Sequence, residues 1–306
     1  MDNLELAIVG AGPAGITAGI YSKRKGLTVE IFEEKVAGGT LNEAVLIENY
    51  PGFKPIVGHK LAKKIAAHAK RLGIKINEAE KIASVKNIGG KFKLESDSGN
   101  SFIANALILA TGAKHRRLNV PSAEKFEGKG ISYCATCDGP LYADKTVAIV
   151  GGGSSGAANA IYMSSIARKV YLIEYMPKLM CENAYLDQLS KNKVEIITNA
   201  NVLEFLGDSN LKGIRYVDRE TKKEKTLSVD GAFIYIGIEP NNALAKMLKC
   251  SLDEKGYVKV DHKMRTSVEG VFAAGDITGI FPQMIVACGQ GAIAAESAYK
   301  YVRNIL

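Results

Sequence analysis

Apolar and polar positions along the chain follow a pattern that occurs twice. In each copy a short apolar run leads into a glycine-rich turn, a helical stretch, and a second apolar run that ends at an acid. In the first copy the apolar runs are residues 4–9 and 27–32. In the second copy they are residues 146–150 and 170–173, and the helical stretch between them reaches Ala167. Short apolar runs bounded by glycine are typical of buried parallel strands, so each copy predicts a strand–turn–helix–strand unit.

The two copies have the same internal spacing. As many positions separate Gly10 from Glu33 as separate Gly151 from Glu174. This equality selects Glu33, rather than its neighbour Glu34, as the counterpart of Glu174. The chain therefore contains an internal duplication of a dinucleotide-binding unit.

The remaining segments complete two sheets. Each copy ends in a later apolar strand that runs into glycine, at residues 106–112 and 231–237. Shorter runs between these landmarks have an antiparallel pattern, and they are residues 82–85 with 91–94 and 202–206 with 214–217. A strand that ends in Gly275 and Asp276 precedes a helix of small residues at 284–302. The pattern predicts an α/β protein with two Rossmann-like dinucleotide-binding domains, each with a three-layer ββα-type arrangement.

Composition and charge argue against several classes of protein. At 306 residues the chain is long enough for two domains. It has no apolar run of about 18 residues and no basic leader with a cleavage site, so we expect no membrane span, no secretory signal and a cytoplasmic location. The net charge of +8 comes mostly from scattered lysines, several of them on the solvent face of a predicted helix at 58–72. We therefore expect no nucleic-acid binding.

Two of the five cysteines, Cys134 and Cys137, form a Cys-x-x-Cys motif shortly before the second glycine turn. Such a motif is either half of a zinc site or a redox pair. None of the four histidines has a useful spacing to another histidine or cysteine, so we predict no metal site. The other cysteines are isolated in the sequence, and we expect them to be buried structural thiols: Cys181, Cys250 and Cys288.

The duplicated unit and the cysteine pair together indicate redox chemistry. A glycine-rich turn lets the backbone approach a pyrophosphate, and the acid that ends the next strand accepts ribose hydroxyls. Two such sites imply a relay between two dinucleotides, and the cysteine pair supplies a two-electron terminus. Asp138, which follows Cys137, is either a proton-transfer group for thiol–disulfide exchange or a solvent-facing turn residue. Spacing alone leaves both interpretations open.

Five motifs resemble those of low-molecular-weight thioredoxin reductases, and the resemblance extends over essentially the whole chain. They are Gly-Ala-Gly-Pro-Ala-Gly at 10–15, Glu-Asn-Tyr-Pro-Gly at 48–52, Ala-Thr-Gly at 110–112, Cys-Ala-Thr-Cys-Asp-Gly at 134–139, and the strand with its Gly-Asp end at 270–276. The resemblance implies a homodimeric FAD enzyme. Its FAD-binding domain would be discontinuous, with residues 1–116 and 244–306, and an inserted NAD(P)H-type domain, residues 117–243, would carry the cysteines.

The same resemblance assigns roles to individual residues. It implies that Cys137 faces the flavin, that Cys134 attacks the disulfide of a thioredoxin-like partner, and that Asp138 is the acid and base. The FAD contacts it implies are Gly10, Gly12, Pro13, Ala14, Gly15, Glu33, Glu34, Gly38, Gly39, Thr40, Asn49, Val85, Thr111, Gly112, Gly275, Asp276, Gln283 and Met284. The contacts to a nicotinamide nucleotide are Gly151, Gly153, Ser154, Ser155, Gly156, Glu174 and Gly237.

One departure from the family concerns the electron donor. Members that use NADPH have a His-Arg-Arg cluster and a further arginine where residues 174–178 read Glu-Tyr-Met-Pro-Lys. A 2′-phosphate needs charge-assisted donors, and Lys178 is the only cation in this segment. Two acidic positions of the family are also replaced, by Ala158 and Asn159. We expect NADH first, an unidentified low-potential donor second and NADPH last, because Glu174 suits a free ribose hydroxyl.

Other functions compatible with the sequence share the fold but differ in partner. In one alternative the chain is a reductase of a glutaredoxin-like or peroxiredoxin-reducing protein. In another it is an oxidase that acts on a small-molecule disulfide. Dedicated peroxiredoxin reductases usually carry an additional N-terminal thioredoxin-like region, which is not expected here. A flavoprotein sensor with a degenerate donor site is a further alternative, but the glycines of the second turn and the cysteine pair argue against decay. Ferredoxin-linked flavin reductases of similar length predict no Cys-x-x-Cys motif.

Overall fold

A computed structural model describes residues 3–192 and 194–305 of the chain. The strands are β1 Asn3–Val9, β2 Val29–Phe32, β3 Lys75–Asn77, β4 Ile82–Ile88, β5 Lys91–Ser96, β6 Ser101–Leu109, β7 Ala113–His115, β8 Ile131–Ser132, β9 Thr146–Val150, β10 Lys169–Ile173, β11 Val194–Ile197, β12 Ala200–Gly207, β13 Leu211–Asp218, β14 Glu224–Ser228, β15 Gly231–Ile234, β16 Ile238–Pro240 and β17 Val271–Ala273. The α-helices are α1 Pro13–Arg24, α2 Gly58–Arg71, α3 Ala123–Phe126, α4 Ala135–Asp138, α5 Ser154–Ser164, α6 Asn183–Lys191, α7 Ala243–Met247 and α8 Met284–Val302. Short 3-10 helices are Gly39–Glu43, Gly139–Tyr142 and Asp276–Thr278.

The chain divides into two compact units. Unit 1 comprises Met1–Lys114 and Glu239–Leu306, and unit 2 comprises His115–Ile238. The two crossings between the units, β7 and β16, pair as a two-stranded sheet. The second crossing lies a few residues earlier than the boundary that the sequence predicts at 243. The reason is that Asn241 belongs to unit 1, where Thr111 Oγ1 donates to its carbonyl at 2.8 Å and its Nδ2 donates to Thr111 O at 2.9 Å.

Unit 1 is built on one sheet in which a long strand has two kinds of neighbour. The strand order is β3-β2-β1-β6-β5-β4, with β17 also paired to β6. Along one edge β6 pairs in parallel with β1. Along the other edge its first half pairs antiparallel with β5 and its second half pairs parallel with β17. The parallel sheet and the antiparallel meander are thus joined through a single nine-residue strand.

Side chains of β1 alternate between two apolar layers of unit 1. Leu6 and Ile8 pack into the cluster that contains residues of α1, α2 and α8. Ala7 and Val9 pack into the cluster that contains residues of β4, β5 and α7. A strand directs successive side chains to opposite faces, so the parallel sheet forms the middle of three layers, as predicted.

Unit 2 repeats this architecture with two separate sheets. A parallel sheet has the order β11-β10-β9-β15-β8, and an antiparallel sheet has the order β12-β13-β14. In β9, Val147 and Ile149 pack with residues of α5, whereas Ala148 and Val150 pack with residues of β12 and β13. The predicted fold class, α/β with two Rossmann-like three-layer domains, is therefore confirmed.

Most predicted elements lie where the sequence places them, and α8 has the bounds predicted for it. The helix after the second glycine turn is shorter than predicted, because it ends at Ser164 rather than Ala167. The hydroxyls of Ser164 and Ser165 donate to the carbonyls of Ile161 and Tyr162 at 2.7 Å, so serine side chains compete with the backbone for these carbonyls at the end of the helix.

Across residues 3–192 and 194–305, none of the helices combines the length and apolarity that crossing a bilayer requires.

Candidate active site

The first glycine turn has two positions that must be glycine and one that borders open space. Gly10 has φ +105°, and a Cβ there would lie 2.1 Å from Ala110 O. A Cβ on Gly15 would lie 1.8 Å from Gly10 O. A Cβ on Gly12 would meet no atom within 4 Å. The protein itself therefore requires Gly10 and Gly15, while Gly12 leaves room for a ligand beside the backbone.

The second turn has the same geometry. A Cβ would lie 2.2 Å from Tyr235 O at Gly151 and 1.8 Å from Gly151 O at Gly156, and Gly153 again borders open space. Each turn leads into a helix whose first intrahelical bond is donated to the middle glycine: Ile16 N to Gly12 O at 3.0 Å and Ala157 N to Gly153 O at 2.9 Å. The N–H groups that precede these bonds have no intrahelical partner, so both helix ends suit an anion such as a pyrophosphate.

The acids that close the two strands hold the same backbone groups. Glu33 accepts from Ala11 N at 2.8 Å and from Lys35 N at 3.0 Å. Glu174 accepts from Gly152 N at 2.5 Å and from Met176 N at 2.7 Å. Glu174 is only 8 % exposed, whereas Glu33 is half-buried. The spacing argument that selected Glu33 over Glu34 is thus supported by geometry, and Glu34 instead forms an exposed ion pair with Lys81.

A loop crosses each turn, and the two loops differ. In unit 1, Gly38 N donates to Ala11 O at 2.8 Å, and a Cβ on Gly39 would lie 3.2 Å from Gly12 Cα. In unit 2 the corresponding bond is from Met180 N to Gly152 O at 2.9 Å, and the Met180 side chain is exposed. In unit 1 the residues that approach the turn are the glycines Gly38 and Gly39, so backbone rather than side chains lines the space beside the turn.

Several of the residues predicted to bind FAD meet in unit 1 although they are far apart in sequence. Asn49 Nδ2 donates to Gln283 Oε1 at 3.1 Å, directly before α8, whose first residue is Met284. Gly112 and Gly275 have positive φ values of +64° and +85° at the ends of neighbouring strands.

Other predicted FAD residues are placed differently. Asp276 is half-buried beside Gly275, and burial raises the pKa of its carboxyl. The side chain of Val85 is buried in an apolar cluster, so only its backbone, which lies on the terminal strand β4, remains available to a ligand. Thr40 is exposed in the 3-10 helix after Gly39.

Two side chains that shape this region were missed at the level of the sequence. Gln290 accepts from Gly275 N at 2.7 Å and from Thr278 Oγ1 at 3.1 Å, so an amide on α8 fixes the Gly-Asp turn. Glu78 accepts from Ala37 N at 2.9 Å, and this bond holds the pKa of its carboxyl below the usual value. Neither residue has a local motif around it. For Gln290 a signal is its position as a polar residue within a segment of small and apolar residues, whereas Glu78 lies among other charged and polar residues.

The residues predicted to bind a nicotinamide nucleotide lie at the corresponding end of unit 2. Ser154 and Ser155 form the first turn of α5, and Ser154 Oγ accepts from Glu182 N at 3.2 Å. Gly237 has φ +105° and borders open space, and its carbonyl accepts from Arg116 N at 2.9 Å. Lys178, the cation expected near Glu174, is exposed.

Cys134 and Cys137 form a disulfide in unit 2. Cys134 is the N-cap of the short helix α4, and its Sγ accepts from Cys137 N at 3.2 Å. Cys134 is half-buried and Cys137 is exposed. Tyr235, which follows β15, anchors the same helix, since Ala135 N donates to Tyr235 Oη at 3.0 Å.

Asp138 is held beside the disulfide rather than pointing freely into solvent. Ser132 Oγ, which is buried, donates to Asp138 Oδ2 at 2.7 Å, and Cys134 N donates to Ser132 Oγ at 3.0 Å. The carboxylate is thereby connected to the backbone of Cys134 through one hydroxyl. Burial, together with Asp138 and Asp230 nearby, raises the pKa of Tyr142.

The other cysteines are only partly as expected. Cys250 is buried, and burial raises the pKa of its thiol. Cys181 and Cys288 are half-buried, which differs from the expected buried thiols. Cys181 precedes α6 and packs against an apolar cluster of unit 2, and Cys288 lies in the second turn of α8. In the part of the chain that the structure describes, no three His, Cys, Asp or Glu side chains group closely enough to hold a metal ion.

These features fit two dinucleotides and a disulfide substrate. The open space at Gly12, the first-turn N–H groups of α1 and the Glu33 carboxylate suit the pyrophosphate and ribose of FAD in unit 1. The equivalent groups of unit 2 suit a nicotinamide nucleotide. A disulfide whose Cys134 sulfur accepts from a backbone N–H suits thiol–disulfide exchange, because such N–H groups stabilise a thiolate.

Comparison with known proteins gives the same picture. The profile of the pyridine nucleotide-disulphide oxidoreductase family matches residues 4–291. The chain is 38 % identical to a 34.2 kDa protein in the rubredoxin operon of Clostridium pasteurianum, over 98 % of this chain and 97 % of that protein. It is 35 % identical to thioredoxin reductase of Listeria innocua, over 98 % and 94 %. It is also 37 % identical to a component of the alkyl hydroperoxide reductase of Staphylococcus aureus, over 97 % of this chain but only 59 % of that protein's length.

Solved structures are similar over the whole chain. The crystal structure of T. acidophilum thioredoxin reductase has a TM-score of 0.94 at 45 % identity, and the match covers 98 % of this chain and 99 % of that chain. A ferredoxin-flavin thioredoxin reductase from Clostridium acetobutylicum has a TM-score of 0.55 at 30 % identity, with 99 % of both chains covered. The chain therefore belongs to the pyridine nucleotide-disulphide oxidoreductase family, as an FAD-dependent enzyme of the thioredoxin reductase class.

Proposed function

We propose that the protein reduces the disulfide of a thioredoxin-like partner with electrons that enter through unit 2 and FAD. The observation that carries this proposal is the Cys134–Cys137 disulfide, which sits in the nucleotide-binding unit with Asp138 held beside it. Bound FAD would pass two electrons from the donor to this disulfide. The residues that would hold FAD are those around Gly12, Glu33 and Asn49 in unit 1.

The exchange step uses both cysteines and the aspartate. In the reduced enzyme the Cys134 thiolate attacks one sulfur of the partner disulfide, and the other partner sulfur leaves as a thiolate. The Cys137 thiolate then attacks Cys134 Sγ, re-forms the enzyme disulfide and releases the second partner thiolate. Asp138 accepts the proton of a cysteine thiol and delivers it to a leaving thiolate, and the hydroxyl of Ser132 holds its carboxylate in place. Two thiols of the enzyme are thus oxidised as two sulfurs of the partner are reduced.

The proposed donor is NADH, with NADPH disfavoured. The Glu174 carboxylate accepts from Gly152 N of the second turn and suits the free 2′-hydroxyl of NADH, whereas it opposes a 2′-phosphate. A second candidate is a low-potential protein donor, because a ferredoxin-flavin thioredoxin reductase is among the similar structures. We also propose that the enzyme is a homodimer, in line with the family resemblance.

Anaerobic reduction of the bound flavin, followed by its absorbance, tests the donor. We expect faster reduction with NADH than with NADPH at equal concentration. Faster reduction with NADPH would overturn the argument from Glu174, and reduction only by reduced ferredoxin would identify the second candidate. If none of these donors reduces the Cys134–Cys137 disulfide, the protein is a flavoprotein sensor instead.

A trapping experiment tests the partner. With Cys137→Ser, Cys134 should remain joined to the partner in a stable mixed disulfide, because the resolving thiol is missing. The reverse variant, Cys134→Ser, should trap little or none, and Cys181→Ser is the matched control that should turn over normally. Capture of a peroxiredoxin-reducing module, or of a small-molecule disulfide alone, would contradict the thioredoxin-like assignment.

A further inference from the structure

A cation that lies far from Glu174 in the sequence contacts the residue that follows Glu174 in unit 2. The guanidinium carbon of Arg219 lies 3.8 Å from the ring centroid of Tyr175, the residue after Glu174. Arg219 Nη1 also donates to Tyr175 O at 2.9 Å. The sequence indicated only Lys178 near this edge, and the structure adds a second cation, whose guanidinium contacts Tyr175.

Backbone hydrogen bonds fix Arg219 in this place. Arg219 N donates to Asn199 O at 2.7 Å, and Asn199 N donates to Met176 O at 3.0 Å. Asn199 has φ +53°, a left-handed conformation that asparagine tolerates. Ala200 N donates to Glu174 O at 2.9 Å, so the segment at 199–200 joins the acid and the arginine into one rigid edge.

The turn after Arg219 is equally well held. The carboxylate of Asp218 accepts from Thr221 N at 3.0 Å and from Glu220 N at 3.1 Å, and it pairs with Lys225 at 3.0 Å. The Arg219 side chain therefore leaves a fixed backbone, and less of its conformational freedom remains to be lost when a ligand binds.

The stacked pair has the chemistry of a platform for a planar ring. Tyr175 is 50 % exposed, and Arg219 is half-buried. A guanidinium that lies on an aromatic ring is planar and weakly hydrated, and its outer face accepts a second planar group. The adenine of a dinucleotide is such a group, and its ribose would lie next to Glu174, which ends the preceding strand.

We propose that Tyr175 and Arg219 form the adenine-binding platform of the donor site and that this pair selects adenine dinucleotides without a need for a 2′-phosphate. The proposal rests on the proposed function, in which unit 2 takes a nicotinamide nucleotide. A phosphate-binding role for Arg219 is disfavoured by the Glu174 carboxylate, which is held at the start of the same segment by Gly152 N and Met176 N.

Calorimetric titration of the FAD-loaded enzyme tests the proposal. The probes are ADP-ribose, 2′-phospho-ADP-ribose and nicotinamide mononucleotide, which lacks adenine. We expect Arg219→Ala and Tyr175→Ala to weaken ADP-ribose about tenfold, in keeping with the loss of one stacking partner, and to leave the affinity for nicotinamide mononucleotide unchanged. Arg219→Lys keeps the positive charge but loses the planar guanidinium, so it should weaken ADP-ribose binding as much as Arg219→Ala does.

The control is Arg215→Ala. Arg215 lies on β13, the strand just before Arg219, and it pairs with Glu204 and Glu224 rather than with Tyr175. The control variant should bind all three probes like the unaltered enzyme. Thermal unfolding and FAD content establish that each variant is folded.

Three results would overturn the proposal: unaltered ADP-ribose affinity in Arg219→Ala, full affinity in Arg219→Lys, or an effect confined to 2′-phospho-ADP-ribose. The last result would make Arg219 a phosphate receptor. Reduction of the partner disulfide after chemical reduction of the flavin by dithionite needs no nucleotide. It therefore tests the proposed function separately, and failure of the platform alone would leave that activity intact.

Discussion

The two units have nearly the same backbone at their nucleotide turns but different surroundings. In both units the carboxylate of the acid accepts two backbone N–H hydrogen bonds. One comes from the residue after the first glycine of the turn, and the other from the residue two positions after the acid. The segment that follows the third strand is also equivalent, since Ala79 and Asn199 both have positive φ and both donate to the chain just past the acid. The shared part is fixed by steric limits on the backbone, which tolerate little variation.

The differences concern side chains near the turn. Ala11 in unit 1 corresponds to Gly152 in unit 2, where a Cβ would lie 2.7 Å from Glu174 Oε2. Unit 2 therefore brings its acid closer to the turn and buries it. Unit 1 instead keeps glycine in the loop that crosses the turn, at Gly38 and Gly39. The two turns thus share a backbone but differ in how closely the acid and the crossing loop approach it.

The largest expected effect separates required glycines from permitted ones. Gly15→Ala and Gly156→Ala each place a Cβ 1.8 Å from a carbonyl oxygen of their own turn, so each should cost about 3 kcal/mol or more of stability. Gly15→Ala should also abolish FAD retention, whereas Gly156→Ala should keep FAD and lose nucleotide binding. Thermal unfolding and flavin absorbance measure both effects.

The matched controls are Gly12→Ala and Gly153→Ala, whose Cβ atoms meet nothing within 4 Å. They should leave the stability of the FAD-free protein nearly unchanged while weakening the respective ligand. Equal destabilisation by Gly12→Ala and Gly15→Ala would show that the turns are not governed by backbone clashes.

An intermediate effect distinguishes the two acids. In FAD-free protein, Glu174→Ala leaves the buried N–H of Gly152 and the part-buried N–H of Met176 without their partner and should cost about 1–3 kcal/mol. Glu33→Ala should cost less, because water can reach the N–H groups near a half-buried carboxylate. Urea denaturation of both variants measures the difference. A larger loss for Glu33→Ala would reverse the comparison.

The smallest effect concerns one carboxylate in each unit. The pKa of Asp218 is lowered to about 2, chiefly by the bond from Thr221 N and then by Lys225. Since the folded pKa lies below the ordinary value of 3.8, the stabilisation is present above about pH 4 and is lost as the pH falls through about 2. Asp218→Asn should therefore lower Tm slightly at pH 7, and the gap should close as the pH approaches 2.

A carboxylate of unit 1 that is held by neutral groups is Glu80, whose pKa is lowered first by hydrogen bonds from the hydroxyls of Ser96 and Ser98. Added salt should shrink the effect of Asp218→Asn, which involves Lys225, more than that of Glu80→Gln. Equal sensitivity to salt would indicate that the two carboxylates are stabilised in the same way.

The sequence by itself determined the duplication, the order of strands and helices, the two turns with their acids, and the redox pair. These features depend on neighbours along the chain: the period of apolar residues, the glycines that a positive φ or a close approach requires, and the spacing of Cys134 and Cys137. Local chemistry of this kind can be read without knowing which segments pack together.

Only the tertiary structure decided which distant residues meet. It showed that Asn49 bonds to Gln283 and that Gln290 bonds to Gly275. It also showed that Asn241 belongs to unit 1 and that Arg219 stacks on Tyr175. It also showed that Ser132 holds Asp138, which spacing could not decide. Each contact joins parts of the chain without a shared local pattern, and its geometry follows from how the layers pack rather than from the residues on either side.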